Sequence, residues 1–257
     1  MREARLEISG LSHRYADGTA ALRDVELAVP GGQFCVLLGP SGSGKSSLLR
    51  AINGLLPFQH GRIRLGGQSL RPGQTRDRRR QVATIHQGID LVPRLSVLDN
   101  VLCGALGEMN VLDALLGNQG EARRVRACAL LASVGLQPSH LYRRASELSG
   151  GQQQRVGIAR AFIGMPRLVL ADEPVASLDP SNSRDVLGML RRAAADHGAT
   201  VLCSLHQIDL ALTYADRIVG LRDGRVVLDC IAARFDHTHR DALYAANAQA
   251  STSEVAA

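Results

Sequence analysis

Apolar and polar residues alternate at the start of this chain, at Leu6 and Ile8 and then, past a turn at Asp17-Gly18, at Val25, Leu27 and Val29. A period of two predicts half-buried strands of an antiparallel sheet. The pattern then changes: residues 33–38 are a short apolar run that reads as a buried parallel strand, whereas residues 46–53 carry helical spacing and stop at Gly54. Another short strand is predicted over 62–65. From about residue 97 to residue 141 the chain is rich in Leu, Ala and Arg with few strand signals, which predicts a helical insertion. After it, runs at 168–171 and 200–204 are β-rich and separated by a helical segment at 183–195, the alternation of a parallel sheet. Residues 217–221 and 225–229 flank Asp223-Gly224, a strong hairpin signal. The last ten residues, small and polar, are expected to fray. No internal repeat is visible.

Composition narrows this picture. The 257 residues suffice for a large core, and no stretch approaches the ~18–20 apolar residues needed to span a bilayer. Met1-Arg2-Glu3-Ala4-Arg5 leads straight into alternating residues with no apolar h-region, so the expectation is a chain that stays in the cytoplasm. Cys35, Cys103, Cys128, Cys203 and Cys230 are odd in number and lack C-x-x-C spacing, which predicts reduced thiols, with Cys35 and Cys203 packed in strands. A net charge of +6 would fit a nucleic-acid partner, but the arginines are spread along the chain and only 3% of residues are aromatic, so no nucleic acid is expected. The dense cluster of Arg76, Arg78, Arg79 and Arg80 reads as a solvated helix start.

Lys45 is the single lysine among 30 lysine-plus-arginine residues, and it closes Gly39-Pro40-Ser41-Gly42-Ser43-Gly44-Lys45-Ser46. A glycine-rich loop turns backbone N–H groups toward one small volume, and a compact ammonium on a flexible stem reaches over it to the outer phosphates of a nucleotide. Strand, loop and helix follow in the order this requires, the helix N-terminus adds partial positive charge, and the Ser46 hydroxyl falls where magnesium takes an oxygen ligand.

Two further segments gain meaning beside this loop. The apolar strand at 168–171 ends in Asp172 and Glu173, one carboxylate suited to hydrated magnesium and the next to deprotonating a water for in-line attack. By itself it is equally a strand ending in a solvated acidic turn. Leu148-Ser149-Gly150-Gly151-Gln152 precedes a helical run at 153–163 and sets a serine and two glycines at a helix N-terminus, a second anion site. A serine cap with a glycine turn explains Ser149 and one glycine and leaves the pair less accounted for. His206 directly follows the strand at 200–204.

Together these segments resemble the ATP-binding cassette family of transport ATPases over about residues 4–235. The resemblance implies an α/β fold: a P-loop NTPase (RecA-like) core with a parallel sheet, an N-terminal antiparallel β subdomain and an inserted α-helical signature subdomain. It divides the single domain of residues 1–257 into a catalytic core (about 1–90 and 160–235), a helical subdomain (about 91–159) and a tail (236–257). Gly39, Pro40, Ser41, Gly42, Ser43, Gly44, Lys45 and Ser46, with Ser47 next, look like the family's Walker A loop, and residues 168–172 like its Walker B strand, followed by the catalytic base Glu173. Ser149, Gly150, Gly151 and Gln152 match the signature sequence that only this family carries. Gln87 resembles the Q-loop glutamine, which in the family joins the magnesium site, here Ser46 and Asp172 with Gln87, to the helical subdomain; Ser177-Leu178-Asp179 resembles the D-loop and His206 the switch histidine. Tyr15 stands where the family stacks an aromatic ring on adenine.

The cofactors implied are ATP and Mg2+, with Lys45, Glu173 and His206 catalytic. The partners implied are a second copy of the chain in a head-to-tail dimer, permease subunits in the membrane, and indirectly a solute-binding protein, which sets the chain peripherally on the cytoplasmic face of the plasma membrane. A narrower resemblance, to ATPase subunits of phosphonate importers, rests on Gln152-Gln153-Gln154-Arg155-Val156, on residues 170–180, 205–212 and 214–224, and on a linker-like stretch at 100–116. These positions line no transported substrate, and phosphite or phosphate remain open. The competing readings are an importer ATPase for another solute and a non-transport cassette ATPase acting on nucleic acid or ribosomes. The latter usually carries two cassettes or a long coiled coil, and a small-molecule kinase is disfavoured by the signature sequence.

Overall fold

The computed structural model describes residues 4–70, 81–86, 88, 90–108, 120–176 and 178–244, so the arginine cluster at 76–80, Gln87, Ser177, part of the linker-like stretch and the end of the tail lie outside the described residues. The chain runs through β1 (Ala4–Arg14), β2 (Ala20–Pro30), β3 (Phe34–Leu38), α1 (Lys45–Asn53), β4 (His60–Leu65) and β5 (Gln68–Ser69). It continues through β6 (Val82–Ile85), α2 (Val97–Cys103), α3 (Glu121–Ser133), α4 (Gly150–Phe162), β7 (Leu168–Asp172), α5 (Pro180–Asp196) and β8 (Thr200–Ser204). It ends with α6 (Ile208–Tyr214), β9 (Arg217–Arg222), β10 (Arg225–Ile231) and α7 (His237–Tyr244). Two compact units result, Met1–Gly73 with Leu202–Ala257, and Gln74–Val201.

In the first unit an antiparallel sheet has the order β2-β1-β4-β5. The predicted alternation holds in β2, where Val25, Leu27 and Val29 are buried, but in β1 it changes phase. Leu6 and Ile8 are buried, the register slips between Ile8 and Leu11 where Gly10 takes φ 61, and Leu11 and His13 become the buried positions. One added residue moves every later side chain to the opposite face, a consequence of the two-residue period.

β3 is buried along its whole length, as a parallel strand covered on both faces must be, and pairs in parallel with β9. Two reciprocal bonds set that register: the Phe34 N–H donates to Asp216 Oδ2 at 2.8 Å, and the Asp216 N–H donates to the Phe34 carbonyl at 2.8 Å. β9 returns antiparallel as β10 through Asp223 and Gly224, at φ 51 and 75. Left-handed conformations at both central residues are what a tight type I′ hairpin demands, which is why the Asp-Gly pair was legible. α1 stops at Gly54, whose φ of 80 forms the left-handed cap.

In the second unit β6 pairs in parallel with β7, and the Thr200 N–H at the start of β8 donates to the Arg167 carbonyl at 3.0 Å. α5 buries Val186, Leu187, Met189, Leu190, Ala193 and Ala194, an apolar stripe at helical spacing in which each large side chain contributes about 1.5–3 kcal/mol. The helix starts before that stripe, because Asp179 caps it and Pro180 occupies the first turn without needing an N–H partner. The predicted helical insertion is present as α2 and α3 with short 3-10 turns. Buried Asn100 shapes the turn before α2, accepting from the Val92 N–H at 2.8 Å and donating to the carbonyls of Val92 and Ser96 at 3.1 and 2.9 Å. Among the described residues no helix is long and apolar enough to cross a membrane. All five cysteines are free thiols; Cys35 and Cys203 are buried in β3 and β8, and burial pushes the Cys35 thiol far up.

Candidate functional site

The residues singled out by sequence fall into two groups, one within each unit. In the first unit the loop between β3 and α1 alternates left-handed glycines with ordinary residues, Gly42 at φ 78 and Gly44 at φ 103. Such alternation turns successive N–H groups toward one side, which forms an anion nest. Among the described residues nothing lies within 4 Å of where a Gly42 side chain would stand, so the backbone there has room for a ligand. α1 starts with no side-chain cap and no acidic residue in its first turn, and the partial positive charge of a helix N-terminus suits an anion there.

The lysine is 5% exposed, and its Nζ donates to the Gly39 carbonyl at 2.8 Å and the Pro40 carbonyl at 3.1 Å. The Ser43 hydroxyl is buried without a hydrogen-bond partner among the described residues, an arrangement that fits an incoming phosphate oxygen. Tyr15 is brought to the same loop from the sheet, its hydroxyl 3.0 Å from Ser47 Oγ across 32 residues of sequence. Its ring is held edge-on by His13, centroids 4.7 Å apart, and both ring nitrogens of His13 are buried without partners among the described residues. His206 stands exposed between β8 and α6.

The hairpin turn that sequence marked only as a turn also supports this loop. The Gly224 N–H donates to the Ser43 carbonyl at 3.0 Å, and the Gly224 carbonyl accepts from the Arg23 N–H at 2.8 Å. Gly44 sits so close beneath that a Cβ on it would lie 2.6 Å from the Ala21 carbonyl oxygen and 3.5 Å from Gly224 Cα. Gly44→Ala combines that clash with a left-handed φ, and is expected to destabilise the first unit by about 1–3 kcal/mol, read as a fall of several degrees in melting temperature. An unchanged melting temperature would mean that the loop relaxes freely.

In the second unit β7 delivers Asp172 at its last position and Glu173 just past it, and Glu173 holds φ 49. A non-glycine residue in the left-handed region costs on the order of 1–3 kcal/mol and concentrates at functional sites. The next residue is supported by α4, since Gln154, 5% exposed, donates from Nε2 to the Pro174 carbonyl. Sequence reasoning assigned Gln154 no role; a glutamine at a buried position of α4 was the signal available.

α4 itself begins with a reciprocal cap: Ser149 Oγ accepts from the Gln152 N–H at 3.3 Å, and Gln152 Oε1 accepts from the Ser149 N–H at 3.0 Å. The serine-cap reading therefore holds, and the helix starts at Gly150 rather than residue 153. Gly150 and Gly151 have neither a positive φ nor crowding: a Cβ on the first meets nothing within 4 Å and on the second only Asn182 Oδ1 at 3.9 Å. Each costs the helix roughly 0.5–1 kcal/mol relative to alanine, and among the described residues neither position is crowded or left-handed in a way that requires glycine. Beside them a cleft of about 500 Å³ is lined by His140, Ser149, Gly151, Gln152, Arg155 and Asn182 among others. Asp179 is engaged in capping α5, accepting at Oδ1 from the N–H groups of Ser181 and Asn182 at 3.0 Å each, and bonds to Asn182 hold its carboxyl below the usual range.

Comparison with known proteins puts this geometry in company. The family model described as ABC transporter matches residues 22–176. The phosphonates import ATP-binding protein PhnC of Hydrogenovibrio crunogenus is 52% identical over 230 residues, 90% of this chain and 85% of the relative. Its counterpart from Frankia casuarinae is 49% identical over 236 residues, 90% of this chain and 92% of the relative. Of solved structures, cbiO1 from Clostridium perfringens, part of the ABC transporter complex cbiONQ, matches with a TM-score of 0.80 at 26% identity over 93% of each chain. The ATP-binding cassette MJ0796, in a dimeric post-hydrolysis state bound to ADP and Pi, matches with a TM-score of 0.75 at 31% identity, over 90% of this chain and 100% of that one.

Proposed function

Since this chain belongs to the ABC transporter family and is an ATP-hydrolysing subunit of it, we propose that it powers import of a phosphonate or a related phosphorus oxyanion. In this reading it docks peripherally beneath a separate permease on the cytoplasmic face of the membrane, and a solute-binding protein delivers the cargo. The substrate assignment draws on relatives about half identical along nearly the whole chain that are named for phosphonate import.

The roles proposed follow the chemistry of each residue. Gly39, Pro40, Ser41, Gly42, Ser43, Gly44, Lys45, Ser46 and Ser47 cradle the phosphates of ATP, and Tyr15 packs against adenine. Glu173 takes a proton from the attacking water and His206 contacts the γ-phosphate. Hydroxyl, carboxylate and amide oxygens from Ser46, Asp172 and Gln87 are hard donors of the kind Mg2+ prefers, so the residue set fits that ion. When bound, magnesium neutralises charge on the β- and γ-phosphates. The division into a core at 1–90 and 160–235 with a helical part at 91–159 belongs to the same proposal.

One observation carries the two-copy mechanism, the uncrowded glycines at the exposed start of α4. Bare backbone at a helix N-terminus is suited to close approach by phosphate, and Ser149, Gly150, Gly151 and Gln152, with Asp179 bonded to the Asn182 that lies beside Gly151, would meet the nucleotide held by a second copy. ATP then makes contacts in the closed dimer that the open form lacks, and hydrolysis removes them. Disrupting the coding sequence in its host is expected to abolish growth on an alkylphosphonate as sole phosphorus source while sparing growth on phosphate. Undiminished growth and uptake would remove phosphonate from the proposal while leaving the ATPase assignment intact.

A further inference from the structure

The half-buried ring of His140 sits against the start of α4, and both of its nitrogens meet hydrogen-bond donors. His140 ends a short 3-10 turn, Pro138–His140, and closes it on itself: the Gln137 N–H donates to His140 Nδ1 at 3.1 Å. A nitrogen that accepts carries no proton, so in the neutral imidazole the proton is on Nε2. That nitrogen lies 3.3 Å from Nε2 of Gln152. Gln152 Oε1 accepts from the Ser149 N–H at 3.0 Å, which fixes the amide with its NH2 group toward the ring. Two donors therefore face each other, too close for a water to stand between them.

No choice of proton or amide orientation removes the conflict. Moving the imidazole proton to Nδ1 sets it against the Gln137 N–H, and turning the Gln152 amide over gives His140 an acceptor but sets NH2 against the Ser149 N–H. A doubly protonated ring meets donors on both sides. With a main-chain N–H at each end and an amide and an imidazole between, this chain of groups is one acceptor short. Ser149 is exposed, so an oxygen from outside reaches its N–H. Once that N–H is taken, Gln152 Oε1 is free to turn and accept from His140 Nε2, and the amide NH2 then points where the oxygen did, toward the same ligand.

We infer that His140 is a positioning residue for the start of α4: it turns the Gln152 amide over when a nucleotide oxygen takes the Ser149 N–H, so that Ser149 and Gln152 donate to the ligand together. The inference rests on the reading in which the nucleotide of a second copy meets this helix start. His140 acts through Gln152 alone.

The test uses the Glu173→Gln chain, where ATP and magnesium are expected to hold the dimer. His140→Phe keeps a ring in place and removes both nitrogens. One hydrogen bond of ordinary net worth corresponds to about a two- to tenfold change in an equilibrium constant, and a head-to-tail dimer contains this one twice. His140→Phe is accordingly expected to weaken ATP-driven dimerisation, followed by light scattering over a range of protein concentrations, about five- to a hundredfold. ATP affinity of the single chain, measured by calorimetry without magnesium, should stay at the parental value. The nucleotide-free melting temperature should hold as well, because losing the bond from Gln137 is offset by losing the donor-to-donor contact. His140→Gln sets an amide N–H where the imidazole Nε2 stood and is expected to restore dimerisation to within about threefold. In a Gln152→Leu background His140→Phe should have no further effect. Parental dimerisation in the phenylalanine variant overturns the proposal, as does an equal effect in the Gln152→Leu background or a glutamine variant as weak as the phenylalanine one. A lower nucleotide-free melting temperature also overturns it, showing the ring to serve the fold alone. Failure of the Glu173→Gln chain itself to dimerise with ATP would instead overturn the two-copy reading and this inference with it.

Discussion

Replacing Glu173 with glutamine is expected to lower ATP turnover by at least about a hundredfold while leaving ATP binding intact, because a positioned general base contributes roughly 10²–10⁴ in rate. The exchange keeps the shape and hydrogen-bonding reach of the side chain and removes only its basicity. Backbone geometry should survive, since the left-handed conformation at Glu173 (φ 49) is imposed by the turn after β7 and by the support that Gln154 gives Pro174. A chain that binds ATP and cannot hydrolyse it should accumulate as a dimer when ATP and magnesium are added. Phosphate release at saturating ATP measures the first effect, and light scattering on a sizing column the second. Parental turnover in the variant would mean that Glu173 is not the base.

Lys45→Ala is expected to weaken ATP binding by about ten- to a hundredfold, the loss of one charge-assisted hydrogen bond worth about 1.5–3 kcal/mol. The geometry adds a second consequence. With the ammonium gone, the Gly39 and Pro40 carbonyls lose the donor that reaches them at 2.8 and 3.1 Å, so some loop stability should go too. Calorimetric titration separates the two when paired with melting of the nucleotide-free chain. Affinity equal to wild type would remove the cradle assignment.

Much of the machinery was legible in the chain because its determinants are local. The run before the loop had to be a buried strand, and Asp223-Gly224 had to be a turn, since each follows from a period or a φ sign read within a few residues. Asp179 shows where that reading stops. Its resemblance to a D-loop residue was plain, yet its carboxylate is found capping α5, a partner choice made by the helix start that the apolar stripe had placed three residues too late. β1 shows the same limit, for the phase change at Gly10 that buries His13 leaves no mark in the first few alternating positions.

The sequence alone therefore determined the local features on which the proposed roles rest: a glycine-rich loop with a lone ammonium, a strand ending in two carboxylates, and a serine-glycine helix start. Tertiary structure alone decided what holds them. Tyr15 meets Ser47, Gly224 bonds Ser43, Gln154 reaches Pro174, and Leu243 of α7 packs on Gly220, each across a separation at which no local propensity acts. The physical reason is that strand register and helix docking are chosen by the summed burial of whole faces, as where Asp216 and Phe34 lock β9 to β3 over 182 residues, and only that global choice sets which polar groups end within bonding distance.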